Sequence, residues 1–293
     1  MVPERASETT APVDFWCVAA EPRSVESRFG LRDCLPRGED SHCTVDLGKW
    51  SLQPDGRVQA GALAIAADHI TGEVPFLRRQ PGHYSLTTEL TIDFAAVIEP
   101  DATLHLEGRP VRIEQGSGFA QATMTGADGS VAAFASTRTV YVPESSGAGE
   151  GVWLAAPRET DSAAVTIDEH LQFECSYGDG TAEVRLEDSS AWVNDFGILH
   201  GGVWACLAEV AASRLIGRAN PDLATATVHT TYLRPGGFGA ALAVSARSRH
   251  VGARLAIAEC VGQAADGTIC TLSTVTARRV GNVAATGQLA VYR

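Results

Sequence analysis

Asn194-Asp195-Phe196-Gly197-Ile198-Leu199-His200-Gly201-Gly202 runs straight into the apolar segment 203–217. A small polar turn with three glycines, followed by about four helical turns that are apolar on nearly every side, predicts a buried helix whose N-terminus lies open to a ligand. Glycines at a helix start let a substrate approach the backbone closely. Its unpaired N–H groups and the positive end of its dipole can then receive a developing oxyanion, with Gly201 the expected donor. Further along, Glu209 stands between Ala208 and Val210 in a helix that also carries Trp204, Cys206, Leu207, Leu215 and Ile216. A carboxylate there is desolvated, which raises its pKa and suits it to act as a base or nucleophile. The plainer reading is a narrow polar stripe with Arg214 that reaches solvent.

Working outward, the same pattern recurs earlier in the chain. Gly61-Ala62-Leu63-Ala64-Ile65-Ala66-Ala67-Asp68 aligns, without a gap, with Gly202-Val203-Trp204-Ala205-Cys206-Leu207-Ala208-Glu209, so Asp68 corresponds to Glu209. Downstream, 88–94 matches 227–233, both alternating like strands with one buried face. Ala127-Asp128-Gly129-Ser130 matches Ala265-Asp266-Gly267-Thr268. Asp-Gly between two β-rich runs predicts a hairpin, here joining 119–125 to 131–142 and 255–262 to 269–280. Strand candidates at 43–47 and 182–186 precede the two helices. Each half therefore reads as strand, loop, buried helix and about four antiparallel strands, because a helix apolar all round needs a sheet curled about it. The expected division is 1–143, a Gly/Ser-rich linker at 144–164, and 165–293. Within that linker, Gly147-Ala148-Gly149-Glu150-Gly151 lacks the strand and helix a nucleotide loop requires. Asp195-Phe196-Gly197 likewise stands without the rest of a kinase motif set.

Composition narrows the function. A formal charge of −12 over 293 residues argues against a nucleic-acid partner. Seven cysteines without a CxxC pair read as free thiols in a reducing compartment, and the histidines show no metal spacing. The polar stretch 1–12 has no apolar core of a signal peptide, and no apolar run is long enough to span a bilayer. The expectation is a cytoplasmic protein without a membrane partner or metal, and with assembly into a homo-oligomer left open.

Asn194-x-x-Gly197-x-x-His200-Gly201-Gly202, with an acidic residue eight positions after Gly201, resembles the hotdog-fold acyl-CoA thioesterases of the 4-hydroxybenzoyl-CoA and phenylacetyl-CoA type. The resemblance implies an α+β chain of two tandem hotdog domains, each a central helix wrapped by a curved antiparallel sheet, spanning most of 40–280. It implies thioester hydrolysis with no cofactor beyond the coenzyme A of the substrate. Gly201 is then the oxyanion N–H, and His200 shapes its loop. Asn194 holds the thioester or the attacking water, Glu209 is the carboxylate, and Ser213 orients water. The corresponding first-half residues are Gln53, Gln59, Ala60, Asp68 and Gly72, so the carboxylate persists there while the His-Gly pair does not.

Geometry limits how these groups combine. Gly201 and Glu209 lie eight positions apart on one helix, about 12 Å along its axis, and cannot both touch one carbonyl. A pseudo-two-fold partner helix would bring its own mid-helix carboxylate to the other helix's N-terminus. This predicts one site from Asn194, His200 and Gly201 with Asp68, and a second from Gln53, Gln59 and Ala60 with Glu209. Phe196 and Trp204 are candidate acyl-pocket residues. Arg247, Arg249 and Arg254, with Arg109, Arg112 and Arg138 in the first half, are candidates for the coenzyme A phosphates or ordinary solvated strand residues. Competing readings are an enoyl-thioester hydratase, which wants an Asp/His dyad, a non-catalytic acyl-CoA sensor, and an enzyme acting on carrier-protein thioesters.

Overall fold

The two Asp-Gly hairpins anchor the architecture. Gly129 and Gly267 take φ of +80° and +83°, the left-handed conformation such turns demand of one residue, and Asp128 and Asp266 each accept a hydrogen bond from the backbone N–H two positions on. Around them a computed structural model describes residues 24–143, 164–194, 196–237 and 239–279. The first half comprises α1 (Val25–Arg28), β1 (Leu31–Arg37), β2 (Asp40–Asp46), α2 (Ala64–Phe76), β3 (His83–Phe94), β4 (Thr103–Ile113), β5 (Ser117–Gly126) and β6 (Val131–Pro143). The second half repeats the series as α3 (Ile167–Leu171), β7 (Phe173–Gly178), β8 (Thr181–Leu186), α4 (Gly201–Ala219), β9 (Leu223–Tyr232), β10 (Leu242–Val251), β11 (Leu255–Ala264) and β12 (Ile269–Arg279).

The twelve described strands form one antiparallel sheet in the order β1-β2-β4-β5-β6-β3-β9-β12-β11-β10-β8-β7. The halves meet where β3 pairs with β9, with Leu90 opposite Thr230 and Thr91 opposite His229. The order reads the same from either edge inward, as two-fold symmetry between repeats requires. The offset between the helix segments also persists in fine detail. The isolated bridge Leu52–Val58 matches Val193–Leu199, and the 3-10 turn Lys49–Ser51 matches Ser190–Trp192. The expected strands therefore stand, generally a few positions longer. The reading from sequence gave β4 and β10 no bounds, counting them only among the strands after each helix, and lacked β1, β7, α1 and α3, which are short elements without a clear period. The 144–163 portion of the expected linker, with its glycine run, lies outside the described residues.

Both long helices are buried against the sheet. Thirteen of the nineteen residues of α4 are buried, and α2 buries Ala64–Asp68, Ile70, Thr71, Val74 and Pro75. Each large aliphatic side chain so buried stabilises the fold by about 1.5–3 kcal/mol. Pro75 falls in the last turn of α2, which ends at Phe76. The helices touch near their N-terminal ends, where a Cβ on Gly202 would lie 2.5 Å from the Cα of Ile65 and 2.6 Å from the Ala64 carbonyl oxygen. Only a glycine admits that approach. Among the described residues no helix is long and apolar enough to cross a membrane.

Candidate active site

Helix starts leave N–H groups without intrahelical partners, and here both long helices begin inside the protein. The start of α4, and the 3-10 turn Ala60–Leu63 that leads into α2, each meet the carboxylate of the other repeat. Asp68, in the middle of α2, accepts from the Gly202 N–H at 2.9 Å through Oδ2 and from the Thr87 hydroxyl at 3.0 Å through Oδ1. Glu209, in the middle of α4, accepts from the Gly61 N–H at 2.9 Å and from Gln59 Nε2 at 2.5 Å through Oε2, and from the Thr225 hydroxyl at 2.5 Å through Oε1. A carboxylate at a helix N-terminus gains from the dipole as well as the hydrogen bond. The donor to the carboxylate is the second residue of each pair, Gly202 and its counterpart Gly61. That leaves the N–H of Gly201, and of its counterpart Ala60, with no acceptor among the described residues, and both residues are partly exposed.

The two sites differ in chemistry. At the Asp68 site, His200 caps α4: its Nδ1 lies 3.0 Å from the Gly202 N and 3.3 Å from Asp68 Oδ2. Unprotonated Nδ1 takes the Gly202 N–H, and protonated Nδ1 donates to Asp68. His200 Nε2 faces Glu26 Oε1 at 3.4 Å, and His69 Nδ1 faces the same oxygen at 3.5 Å. Burial by itself would raise the Glu26 carboxyl, but hydrogen bonds from His200 and His69 hold it well below the usual range. Burial would lower both histidines. Glu26 and Asp68 nevertheless raise His200, while Cys34 and Glu26 raise His69 well above its ordinary value. The Tyr232 hydroxyl donates to the Gly201 carbonyl at 2.8 Å, and burial, with Asp68 adding to it, keeps that phenol protonated.

At the Glu209 site, Gln59 occupies the position of His200 and also donates to Ser213 Oγ at 2.8 Å. Burial pushes the Glu209 carboxyl up against the opposing hydrogen bonds from Thr225, Gln59 and Gly61. Glu209 is 1% exposed and Asp68 8%, so Asp68 is the less deeply buried of the two. The solvated-stripe reading of Glu209 is thereby set aside, and α2 continues past Asp68 to Phe76.

Other expected residues land apart from the carboxylates. Asn194 Oδ1 accepts from the Phe196 and Ile198 N–H groups at 3.0 and 3.4 Å, so it shapes the loop ahead of α4. Gln53 does the same for its own loop through a bond to the Val58 carbonyl at 3.3 Å. Phe196 meets Tyr84 of β3 edge to face, centroids 4.6 Å apart, near the strand segment that supplies Thr87. Trp204 is 2% exposed and packs against Gly262 and Gly236, on the side of its helix that faces the sheet. The arginines lie apart from the carboxylates as well. Arg247 projects outward on β10, opposite in sense to the buried Val244 and Ala246. Arg249 pairs with Glu259, and Arg254 is exposed in the β10–β11 turn. None of the three hydrogen-bonds to Asp68, His200 or Glu209: strand alternation turns Arg247 and Arg249 to the face away from the helices, and Arg254 lies in the turn beyond β10. In the first half Arg112 pairs with Glu114 and Arg138 with Glu89.

Thr87, Thr225, Glu26 and Tyr232 escaped the reading from sequence, and His69 entered it only as the neighbour of Asp68. The threonines carried a signal, since each lies in the first strand after a repeat helix, at a similar distance beyond its carboxylate. Glu26 carried none, standing in the opposite repeat from His200 and far from it along the chain.

Residues 196–271 match the family model of the Thioesterase superfamily. The whole fold resembles a tesB protein of Mycobacterium avium subspecies paratuberculosis, with a TM-score of 0.64 at 11% identity over 88% of this chain and 98% of that one. It likewise resembles an acyl-CoA thioesterase II, TesB2, of Mycobacterium marinum, with a TM-score of 0.63 at 11% identity over the same shares of the two chains. A hot dog fold protein of unknown function from Alicyclobacillus acidocaldarius gives 0.60 at 16% identity, again over 88% and 98%. At such identities the likeness is one of fold. No curated protein matches the sequence. The chain is thus a double-hotdog protein, and its C-terminal repeat is the part that matches the Thioesterase superfamily model.

Proposed function

We propose that the protein hydrolyses acyl-CoA thioesters at the Asp68 site. The observation that carries this reading is a carboxylate from one repeat held 2.9 Å from the second N–H of the other repeat's helix, while the first N–H, at Gly201, has no acceptor among the described residues and is partly exposed. A thioester carbonyl placed over Gly201 has its oxygen polarised by that N–H and by the helix dipole. Asp68 then either removes a proton from a water that attacks the carbonyl carbon, or attacks it directly to form an anhydride that water then hydrolyses to the free acid. Thr87 holds the carboxylate's second oxygen. Coenzyme A departs as a thiolate, which needs little acid assistance. Phe196 and Tyr84 flank the acyl group.

One observation favours a second reading. Asp68 and His200, 3.3 Å apart, form the acid/base pair that adding water to an enoyl thioester requires, whereas the sequence had offered only the neighbours Asp68 and His69. The experiment is a panel of short, long, aryl and 2-enoyl coenzyme A thioesters, read for thiol release with a thiol-reactive dye against a blank for the protein's seven cysteines. Thiol release from any saturated member supports the hydrolase. Loss of enoyl absorbance without free thiol, and no release elsewhere, rejects it in favour of the hydratase.

A further inference from the structure

Helix α1 lies ahead of the first strand of the N-terminal repeat, yet its Glu26 reaches the helix start of the C-terminal repeat. Glu26 is 7% exposed and accepts from two histidines, His69 of α2 and His200 at the N-cap of α4. An ionised carboxylate so buried is costly unless paired, and an acid drawn this far into the protein stabilises it only while those partners carry protons. The second site makes a useful contrast. Gln59, an amide that cannot titrate, stands where His200 does. The corresponding short helix, α3, carries two acidic residues, but Asp168 pairs with Arg214 at 2.5 Å and Glu169 accepts from the Val165 N–H at 2.7 Å. An acid faces the helix start where the histidine stands, and faces elsewhere where the glutamine stands.

We propose that Glu26 is a positioning residue of the active site: it holds the Nε2 proton of His200 and so fixes the ring with Nδ1 against Asp68 and the Gly202 N–H. This rests on the reading of the Asp68 site given above and deepens it. The groups facing His200 are Glu26 from α1, Asp68 and His69 from α2, and Tyr232 from β9, whose hydroxyl is tied to the adjacent Gly201 carbonyl. Cys34 of β1 stands behind His69. With Glu26 in place the imidazolium persists to higher pH. Its positive charge then sits against the Asp68 carboxylate and next to the N–H of Gly201, where the oxyanion develops.

The test compares wild type with Glu26→Gln and Glu26→Asp, with His200→Gln to identify the His200 resonance. Histidine titrations are followed by NMR, and kcat/KM is followed against pH on whichever thioester the wild type turns over. Glu26→Gln preserves shape and removes the charge. The His200 midpoint is expected to fall by about 1–3 pH units, the usual effect of one close opposite charge, and to recover at least in part in Glu26→Asp. The alkaline limb of kcat/KM moves down with it, so that the loss at pH 8 exceeds the loss at pH 6 by about tenfold or more. An unchanged His200 midpoint in Glu26→Gln overturns the proposal, and so does a lowered midpoint with an unmoved alkaline limb. Failure of the hydrolase reading shows instead in the wild type, which would release no thiol from any ester, while the titration still reports whether Glu26 governs His200.

Discussion

Asp68→Asn and Glu209→Gln are the two substitutions that separate a working carboxylate from a structural cap. Each changes one oxygen to an NH2 group at nearly constant volume. In Asp68→Asn the amide oxygen can still accept from Gly202, but the NH2 now faces the Thr87 hydroxyl, which must turn to accept, and no base remains beside Gly201. Loss of a positioned general base lowers turnover by about 10²–10⁴-fold. The loss of charge at the α4 N-terminus should cost about 0.3–2 kcal/mol of stability, too little to unfold a domain of this size. In Glu209→Gln the amide oxygen keeps the Gln59 and Gly61 donors, and the NH2 faces Thr225, which can likewise turn. Burial already disfavours charge at Glu209. This variant is therefore expected to keep turnover within about tenfold of wild type, well short of the loss of a general base, and to melt no lower at neutral pH. The sign follows from its raised pKa. Whatever stability Glu209 lends is present below its unfolded pKa and is lost as the pH rises through the folded one, so a neutral amide forfeits nothing at pH 7. Steady-state thiol release, alongside thermal melts, decides the matter. A larger kcat loss in Glu209→Gln than in Asp68→Asn would place the chemistry at the other site and refute the reasoning.

Two further outcomes follow from packing and charge. A Cβ at Gly202 meets the α2 backbone at 2.5–2.8 Å, whereas one at Gly201 meets only the tip of Asp68, at 2.6 Å. Gly202→Ala should therefore cost about 1–3 kcal/mol and several degrees of Tm, while Gly201→Ala leaves Tm nearly unchanged and lowers kcat by displacing the carboxylate; calorimetry and the thiol assay check both. Glu26 is depressed below its ordinary 4.5, so its contribution is full above the unfolded pKa and fades as the pH falls through the folded one. His69 and His200 are raised above 6.5, so theirs is full below the unfolded pKa and fades as the pH rises through the folded values. The Tm difference between wild type and Glu26→Gln should accordingly be greatest between about pH 4.5 and 6.5 and shrink on either side. A difference flat from pH 4 to 9 would contradict the ion-pair account.

The repeat, and with it the architecture, was legible in the order of residues alone. Two glycine-led apolar helices at matching places in the two halves, alternating strands and paired Asp-Gly turns are local signals, each dictated by backbone sterics or by a face that must be buried. The pairing of Asp68 with the α4 N-terminus could also be read, because a helical rise of about 1.5 Å per residue forbids Gly201 and Glu209 from sharing a carbonyl. The register of that meeting and the company it keeps came from the folded chain. Gly202 donates to Asp68 instead of Gly201, since the approach of two helices fixes which N–H points at the carboxylate. Trp204 falls in the core and Arg247 on the outer face, because a helix apolar all round does not say which side meets the sheet, and placing a strand does not by itself say which of its faces will carry a ligand. Glu26 lies beyond any periodicity. Its partnership with His200 comes from a short helix folding back across the boundary between the repeats, and packing joins two residues that the chain itself keeps far apart.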